Sequence, residues 1–375
     1  MFGLYIHIPF CVKKCNYCDF NSFKLDKNLK STYLEDLRKE MELYKNEVSE
    51  EITSIFLGGG TPSILNGGEI KYIFKSIKEN FKVSDNAEIT IECNPGTLTV
   101  DKLRAMRECG INRLSIGLQA TQNNHLKYIG RIHSYDEFEK NYKEALKEGF
   151  KNINVDLMYC LPNQTFEEWK ESLEKITHLN PTHISAYSLI LEEGTELYNM
   201  HQRKEFKLMD EDTDIDMYEY TINYLNSKGY KQYEISNYAK EGFECEHNIL
   251  YWKCEHYIGL GPGASGYIKN IRYGNVCDLN EYHKMIEKNE KPIESKEILS
   301  KQDSIEEKIF MGLRMNDGIK FNDFKNKFNI DFLEVYKSQL RDLSEKGLIS
   351  ITEESMKLTQ RGREISNSIF IEFMN

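Results

Sequence analysis

Three of the nine cysteines of this 375-residue chain fall within eight residues, in the stretch HIPFCVKKCNYCDFNSF (7–23). Cys11, Cys15 and Cys18 are spaced C-x3-C-x2-C, with Pro9 stiffening the entry and Lys13, Lys14 and Asn16 keeping the loop polar. Three thiolates so close can converge on one inorganic centre. Structural zinc closes a shell of four ligands, and neither Asp19 nor a distant histidine makes a convincing fourth. An iron–sulfur cube fits better. Cubes usually take four cysteines, so one held by three leaves an iron open to a small bidentate ligand. Three unrelated structural cysteines are the bland alternative.

Other residues able to do chemistry recur at expected strand ends. In FLGGGTPSIL (56–65), Gly59, Gly60 and their neighbour Gly58 let backbone amides come close to a ligand, and Thr61 adds a hydroxyl. Glu92 ends the strand in IECNPGT, where a buried carboxylate needs a partner such as a sugar hydroxyl. Gln119 in SIGLQ, Arg131 in IGRIH and Asp156 in NVDLMYCLPNQT fall at or just after strand ends. Each alone is compatible with a structural hydrogen bond. Cys93, Cys109 and Cys160 lie in or beside core elements and are expected to be dispensable for iron binding.

The elements that must position these residues alternate along the chain. Apolar runs at 3–8, 52–58, 87–93, 112–118, 153–159 and 183–189 read as strands, separated by amphipathic stretches such as LKSTYLEDLRKEMELYK. Six strand–helix units suggest an α/β fold, a partial (β/α)6 TIM-like barrel with its ligand loops at one mouth. A doubly wound sheet would alternate in the same way. Beyond it we expect a helix near 211–228, a strand in YKQYEISNY, a glycine-rich loop GLGPGASGY and a charged linker at 286–297. Three helical stretches, a hairpin and a last helix then suggest a C-terminal winged-helix-like module. The division expected is 1–190, barrel with cluster; 191–300, barrel extension; and 301–375, the terminal module.

Sixty acidic against forty-nine basic residues give a net charge of -11. That balance argues against nucleic acid as a partner, the winged-helix shape notwithstanding. No run approaches the ~20 apolar residues of a membrane span, and the scattered cysteines fit a reducing compartment, so a cytoplasmic protein without an integral membrane segment is expected.

The CVKKCNYC loop resembles the signature of radical S-adenosylmethionine (SAM) enzymes, with Tyr17 as the aromatic residue before the last cysteine. The resemblance implies a [4Fe–4S] cluster on Cys11, Cys15 and Cys18 whose open iron binds the amino and carboxylate groups of SAM, cleaved reductively to a 5′-deoxyadenosyl radical. GGGTP is similar to that family's GGE-type motif. The whole order resembles the subfamily related to oxygen-independent coproporphyrinogen III oxidase, whose SAM-contacting positions fall on Tyr5, Gly59, Gly60, Thr61, Glu92, Gln119, Arg131 and Asp156.

Within that subfamily two features favour the heme chaperone branch over the oxidase. The oxidase signature carries another cysteine two positions after its third cluster cysteine, where this chain has Phe20, and an N-terminal extension that this chain is expected to lack. HNILYW (247–252) matches the H-N-x-x-Y-W pattern of the chaperone branch. In a segment expected outside the rigid barrel, His247 is a suitable axial ligand for heme, with Tyr251 and Trp252 along the porphyrin face. The rivals for this stretch are a packed histidine and a zinc held by Cys245, His247, Cys254 and His256. The resemblance implies heme delivery to acceptor hemoproteins, with a reductant for the cluster. Coproporphyrinogen oxidation and methyl transfer to another tetrapyrrole are the enzymatic alternatives. Catalytic residues, SAM cleavage in turnover and homodimer formation stay open at this point.

Overall fold

In the computed structural model, which describes residues 1–374, six parallel strands lie side by side in chain order. They are β1 Phe2–Ile8, β2 Ile52–Gly59, β3 Val83–Cys93, β4 Arg113–Gln119, β5 Asn152–Tyr159 and β6 His183–Ser188. Each overlaps the stretch expected for it, the largest difference being the earlier start of β3. A doubly wound sheet reverses its strand order at a switch point; this one does not, which makes it the expected partial barrel. The crossover helices are α1 Lys27–Tyr44, α2 Gly67–Asn80, α3 Val100–Glu108, α4 Tyr135–Lys147 and α5 Phe166–Leu179, and α6 Glu211–Ser227 follows β6. Asn66/Glu69, Ser134/Glu137 and Thr165/Glu168 form capping boxes that start α2, α4 and α5.

The strands sort their side chains by the period of two. Leu4, Ile6, Ile55, Leu57, Ile89, Ile91, Leu114, Ile116, Val155 and Leu157 are buried in the main hydrophobic core. The alternate positions, including Phe56, Glu92, Arg113, Ser115, Gly117, Asn154, Asp156 and Ser185, line an interior cavity and are mostly polar. The barrel thus encloses a polar lumen.

The chain after β6 extends the same sheet at both edges. The stretch YKQYEISNY, expected as one strand, is a hairpin of β7 Lys231–Glu234 and β8 Asn237–Ala239 beside β6. Helix α7, Glu246–Trp252, follows. Most of GLGPGASGY belongs to β9 His256–Leu260, parallel to β1, and to β10 Ser265–Ile268, with a turn between. Strands β11 Ile271–Asn275 and β12 Ile293–Ile298 complete an antiparallel meander, with α8 Leu279–Glu287 between them. The expected linker at 286–297 is therefore corrected to a helix end and an edge strand. Its charge is that of an exposed edge, where Lys and Glu discourage pairing with another chain. Glu40 on α1 pins this extension to the barrel, accepting from Gly261 N (2.7 Å), Tyr282 Oη (2.7 Å) and Asn275 Nδ2 (2.8 Å).

Residues from Ile305 to Phe373 build a second hydrophobic cluster. It holds α9 Lys301–Arg314, shorter helices and a three-stranded sheet whose hairpin is Ile349–Ile351 with Ser355–Leu358. The chain closes on two short helices, Gln360–Glu364 and Ser366–Ile371, in place of the single one expected.

Candidate cofactor-binding site

The three-cysteine loop is closed by a short parallel pairing of Phe10–Cys11 with Phe23–Lys24. Asn16 ties its tip to the barrel: its N and Nδ2 donate to Ile129 O (2.9 Å) and Tyr128 O (2.8 Å), and its carbonyl accepts from Leu197 N (2.7 Å). Cys11 is buried and Cys15 and Cys18 are half-buried. All three line the mouth of the lumen, a cavity of about 440 Å³.

Gly60 lets GGGTP lie against this loop, since a Cβ there would stand 2.8 Å from Phe10 O and 3.0 Å from Cys11 Sγ. Thr61 Oγ1 is 3.4 Å from Cys11 Sγ and accepts from Asn94 Nδ2 at 3.1 Å. Arg131 reaches across the lumen: Nη1 donates to Cys15 Sγ (3.6 Å), and Nη2 to Asn94 Oδ1 (2.8 Å) and Gly117 O. Glu92 Oε2 accepts from Gly59 N at 3.1 Å, and burial, reinforced by Asp156, pushes its carboxyl up to about 8. Asp156 accepts from Asn154 Nδ2 (2.7 Å) and Ser115 Oγ (3.1 Å). Gln119 has φ +76, a strained backbone for a non-glycine residue, at the strand end where its side chain meets the cavity.

Cys11, Cys15, Cys18, Tyr17, Gly59, Gly60, Thr61, Glu92, Gln119, Arg131 and Asp156 thus face one cavity. Tyr5 stands behind its wall, 3.0 Å from where a Gly58 Cβ would be. Its hydroxyl lies 3.0 Å from His7 Nδ1. His7 Nε2 faces Asn21 O at 2.7 Å; a carbonyl only accepts, so Nε2 carries the hydrogen and Tyr5 donates to Nδ1. Among the described residues no three Cys, His, Asp or Glu converge on a point fit for one metal ion. The thiols nevertheless share one cavity mouth, which suits a multi-iron cluster spread between them and not a mononuclear metal.

His247 is not where the sequence placed it. The HNILYW segment is α7, inserted against β1 and β2 at the amino-terminal ends of the strands, where it forms the floor of the lumen. His247 is 1% exposed; Nδ1 lies 2.9 Å from Ser54 Oγ, Nε2 2.9 Å from Tyr251 Oη, and its ring stacks on Phe56. Burial, with Arg113 nearby, pushes its pKa down to about 3. A neutral imidazole with both nitrogens engaged offers no free nitrogen to a heme iron in this arrangement, so axial ligation by His247 would require Ser54 or Tyr251 to give way. Nor do the four proposed zinc donors meet: Cys245 Sγ donates to Glu88 Oε1 at 3.4 Å, while Cys254 is buried at the other end of α7.

Sequence reasoning missed Phe56, Asn94, Arg113, Ser115, Asn154, Ser185 and Asn248, which also line the lumen. The signal was present as polar residues at every second position of otherwise apolar strands, as in Arg113, Ser115, Gly117 and Gln119.

Comparison with known proteins assigns the family. The profile of the radical SAM superfamily matches residues 5–176, and that of the HemN C-terminal domain residues 299–365. The heme chaperone HemW of Lactococcus lactis subsp. lactis is 38% identical, with 99% of this chain and 96% of that protein covered. The chain belongs to the heme chaperone HemW family. The HemW of Bacillus subtilis is 36% identical over 100% of this chain and 99% of its own length. A mitochondrial radical S-adenosyl methionine domain-containing protein 1 of Danio rerio is 31% identical over 98% of this chain and 85% of its own. Coproporphyrinogen III oxidase (HemN) from Escherichia coli, a solved structure, superimposes with a TM-score of 0.86, covering 99% of this chain and 89% of that one. At 24% identity this likeness shows that HemW and HemN chains share a fold and carries nothing about activity.

Proposed function

We propose that this chain is a heme carrier that holds a [4Fe–4S] cluster on Cys11, Cys15 and Cys18 and SAM in the lumen, and hands heme to acceptor hemoproteins. When bound, the cluster supplies an open iron for the amino-acid end of SAM and, once reduced, an electron. The chain's own groups would do the rest: Gly59, Gly60 and Thr61 would hold the amino-acid end, Glu92 would accept from ribose hydroxyls, and Gln119, Arg131 and Asp156, which line the same cavity, would complete the contacts to SAM. Tyr5 and Tyr17 support that lining. A reductant for the cluster, a cytoplasmic place and self-association into a homodimer belong to the same reading, as does the division at about residues 190 and 300. No helix among the described residues is long and apolar enough to cross a membrane.

One observation carries the choice of carrier over oxidase: full-length likeness to heme chaperones coincides with Phe20 where the oxidase pattern has a further cysteine. The test is anaerobic. Reconstituted protein is titrated with hemin and mixed with an apo-hemoprotein, and separately incubated with coproporphyrinogen, SAM and a reductant. Transfer of hemin without decarboxylated product is expected; decarboxylation at enzymatic turnover would overturn the reading.

A further inference from the structure

Heme needs a place that the lumen does not offer. About 440 Å³ lies near the lower end of the ~300–1,000 Å³ typical of small-molecule sites, so a macrocycle bound together with a nucleoside-sized ligand would have to extend out over the mouth. No histidine lines the cavity among the described residues. At the mouth, however, three large apolar side chains stand open to solvent: Phe20 is 59% exposed, Ile190 70% and Tyr187 39%. All three line the same cavity as the cysteines. Exposed apolar side chains gathered on the lining of a functional cavity mark a ligand surface.

The charges on this rim narrow the ligand. Lys13 and Lys14 line the mouth. Lys14 Nζ donates to Phe20 O at 3.0 Å, and Lys13 makes no hydrogen bond or ion pair among the described residues. Asp19 and Glu192 also reach the rim, so the lysines favour discrete carboxylates over a polyanion. A flat apolar ring system with carboxylates on one edge fits this arrangement.

We propose that heme docks across the lumen mouth, one face on Phe20, Tyr187 and Ile190 and its propionates toward Lys13 and Lys14, without histidine ligation. This rests on the heme-carrier reading above. Such a site leaves one edge of the macrocycle in solvent for an acceptor, and SAM and heme are bound together, one beneath the other.

The test uses the full chain, cluster-reconstituted under anaerobic conditions, with hemin as probe and the Soret band as readout. Ile190→Asp is expected to weaken hemin binding about tenfold or more, by placing a charge against the apolar face, with the cluster spectrum and SAM binding retained. Phe20→Asp, closer to the cluster loop, should act in the same sense, and Lys13→Glu should weaken binding more at low salt than at high. Saturating SAM should not displace hemin. Unchanged hemin affinity in both Ile190→Asp and Phe20→Asp, or competition between hemin and SAM, would overturn the rim site alone. Wild-type protein that takes up no hemin would overturn the carrier reading and the rim site with it.

Discussion

His247 Nε2 lies 2.9 Å from the hydroxyl of Tyr251, one turn along the same helix. With Ser54 on the other ring nitrogen, this makes the histidine of HNILYW a strut in the barrel floor. His247→Ala is expected to cost about 2–4 kcal/mol, through two buried hydroxyls left without partners and a void beside Phe56. Denaturant unfolding measures that cost, and the Soret band of bound hemin should not move. A moved Soret band at unchanged stability would restore the imidazole as an iron ligand.

The same residue sets an acid sensitivity. Its pKa falls from 6.5 to about 3 in the fold, so as pH drops the unfolded chain takes up a proton that the folded chain refuses. Stability contributed by the neutral ring is full above about pH 6.5 and declines toward pH 3. Between those limits, the slope of unfolding free energy against pH should be shallower in His247→Gln than in wild type by up to one proton.

Glu88 holds the other end of this arrangement. Its carboxylate accepts from Glu246 N (3.1 Å), His247 N (3.2 Å) and Cys245 Sγ, and Arg113 Nε stands 4.0 Å away with no hydrogen-bond partner. Glu88→Ala should destabilise by about 3–5 kcal/mol, since it uncaps α7 and leaves a buried guanidinium uncompensated. Adding Arg113→Met should recover part of the loss; a strictly additive double mutant would show that the two do not interact.

Cluster loading tests the mouth. Cys11→Ser, Cys15→Ser and Cys18→Ser each remove one of three ligands and should prevent a stable cube of about four irons. Gly60→Ala leaves every ligand in place yet presses a methyl against Phe10 O and Cys11 Sγ, so iron content per chain should fall there too. Full iron retention in Gly60→Ala would mean the loop can move aside.

Glu92 predicts a pH dependence of SAM binding. Burial and the nearby Asp156 carboxylate raise its carboxyl to about 8, so at neutral pH it carries a proton before ligand arrives. Ribose hydroxyls donating to Glu92, and the positive sulfonium, favour the ionised form. SAM affinity should therefore rise with pH and level off above about 8, with proton release detectable by calorimetry in buffers of different ionisation enthalpy. Glu92→Gln should bind more weakly and without that slope.

The barrel was legible because strands buried on the outside by helices read as apolar runs, and most of the lumen because its ligands cluster at strand ends. The hydrogen bonds of His247 were not legible for a physical reason. A histidine beside aromatic residues looks the same in sequence whether its nitrogens face a metal or two hydroxyls, and Ser54, which occupies one of them, is 193 residues away. The charged stretch before residue 298 misled in a similar way, since an exposed edge strand and a linker share their composition. Asn154 and Arg113 were overlooked because only the strand ends were searched for ligand groups, whereas the alternation along each strand carries the polar lining deeper, to Arg113 and to Asn154 two positions before Asp156.

Helix α7 is fastened from behind as well: Lys308 Nζ donates to Lys253 O (2.7 Å) and Lys327 Nζ to Cys254 O (3.1 Å), at the helix's carboxyl end. The lumen therefore has a bolted floor, and the cluster loop stands in its doorway. If heme docks across that mouth as proposed, traffic there is ordered: SAM must enter first, and the heme would act as a lid that lengthens its stay.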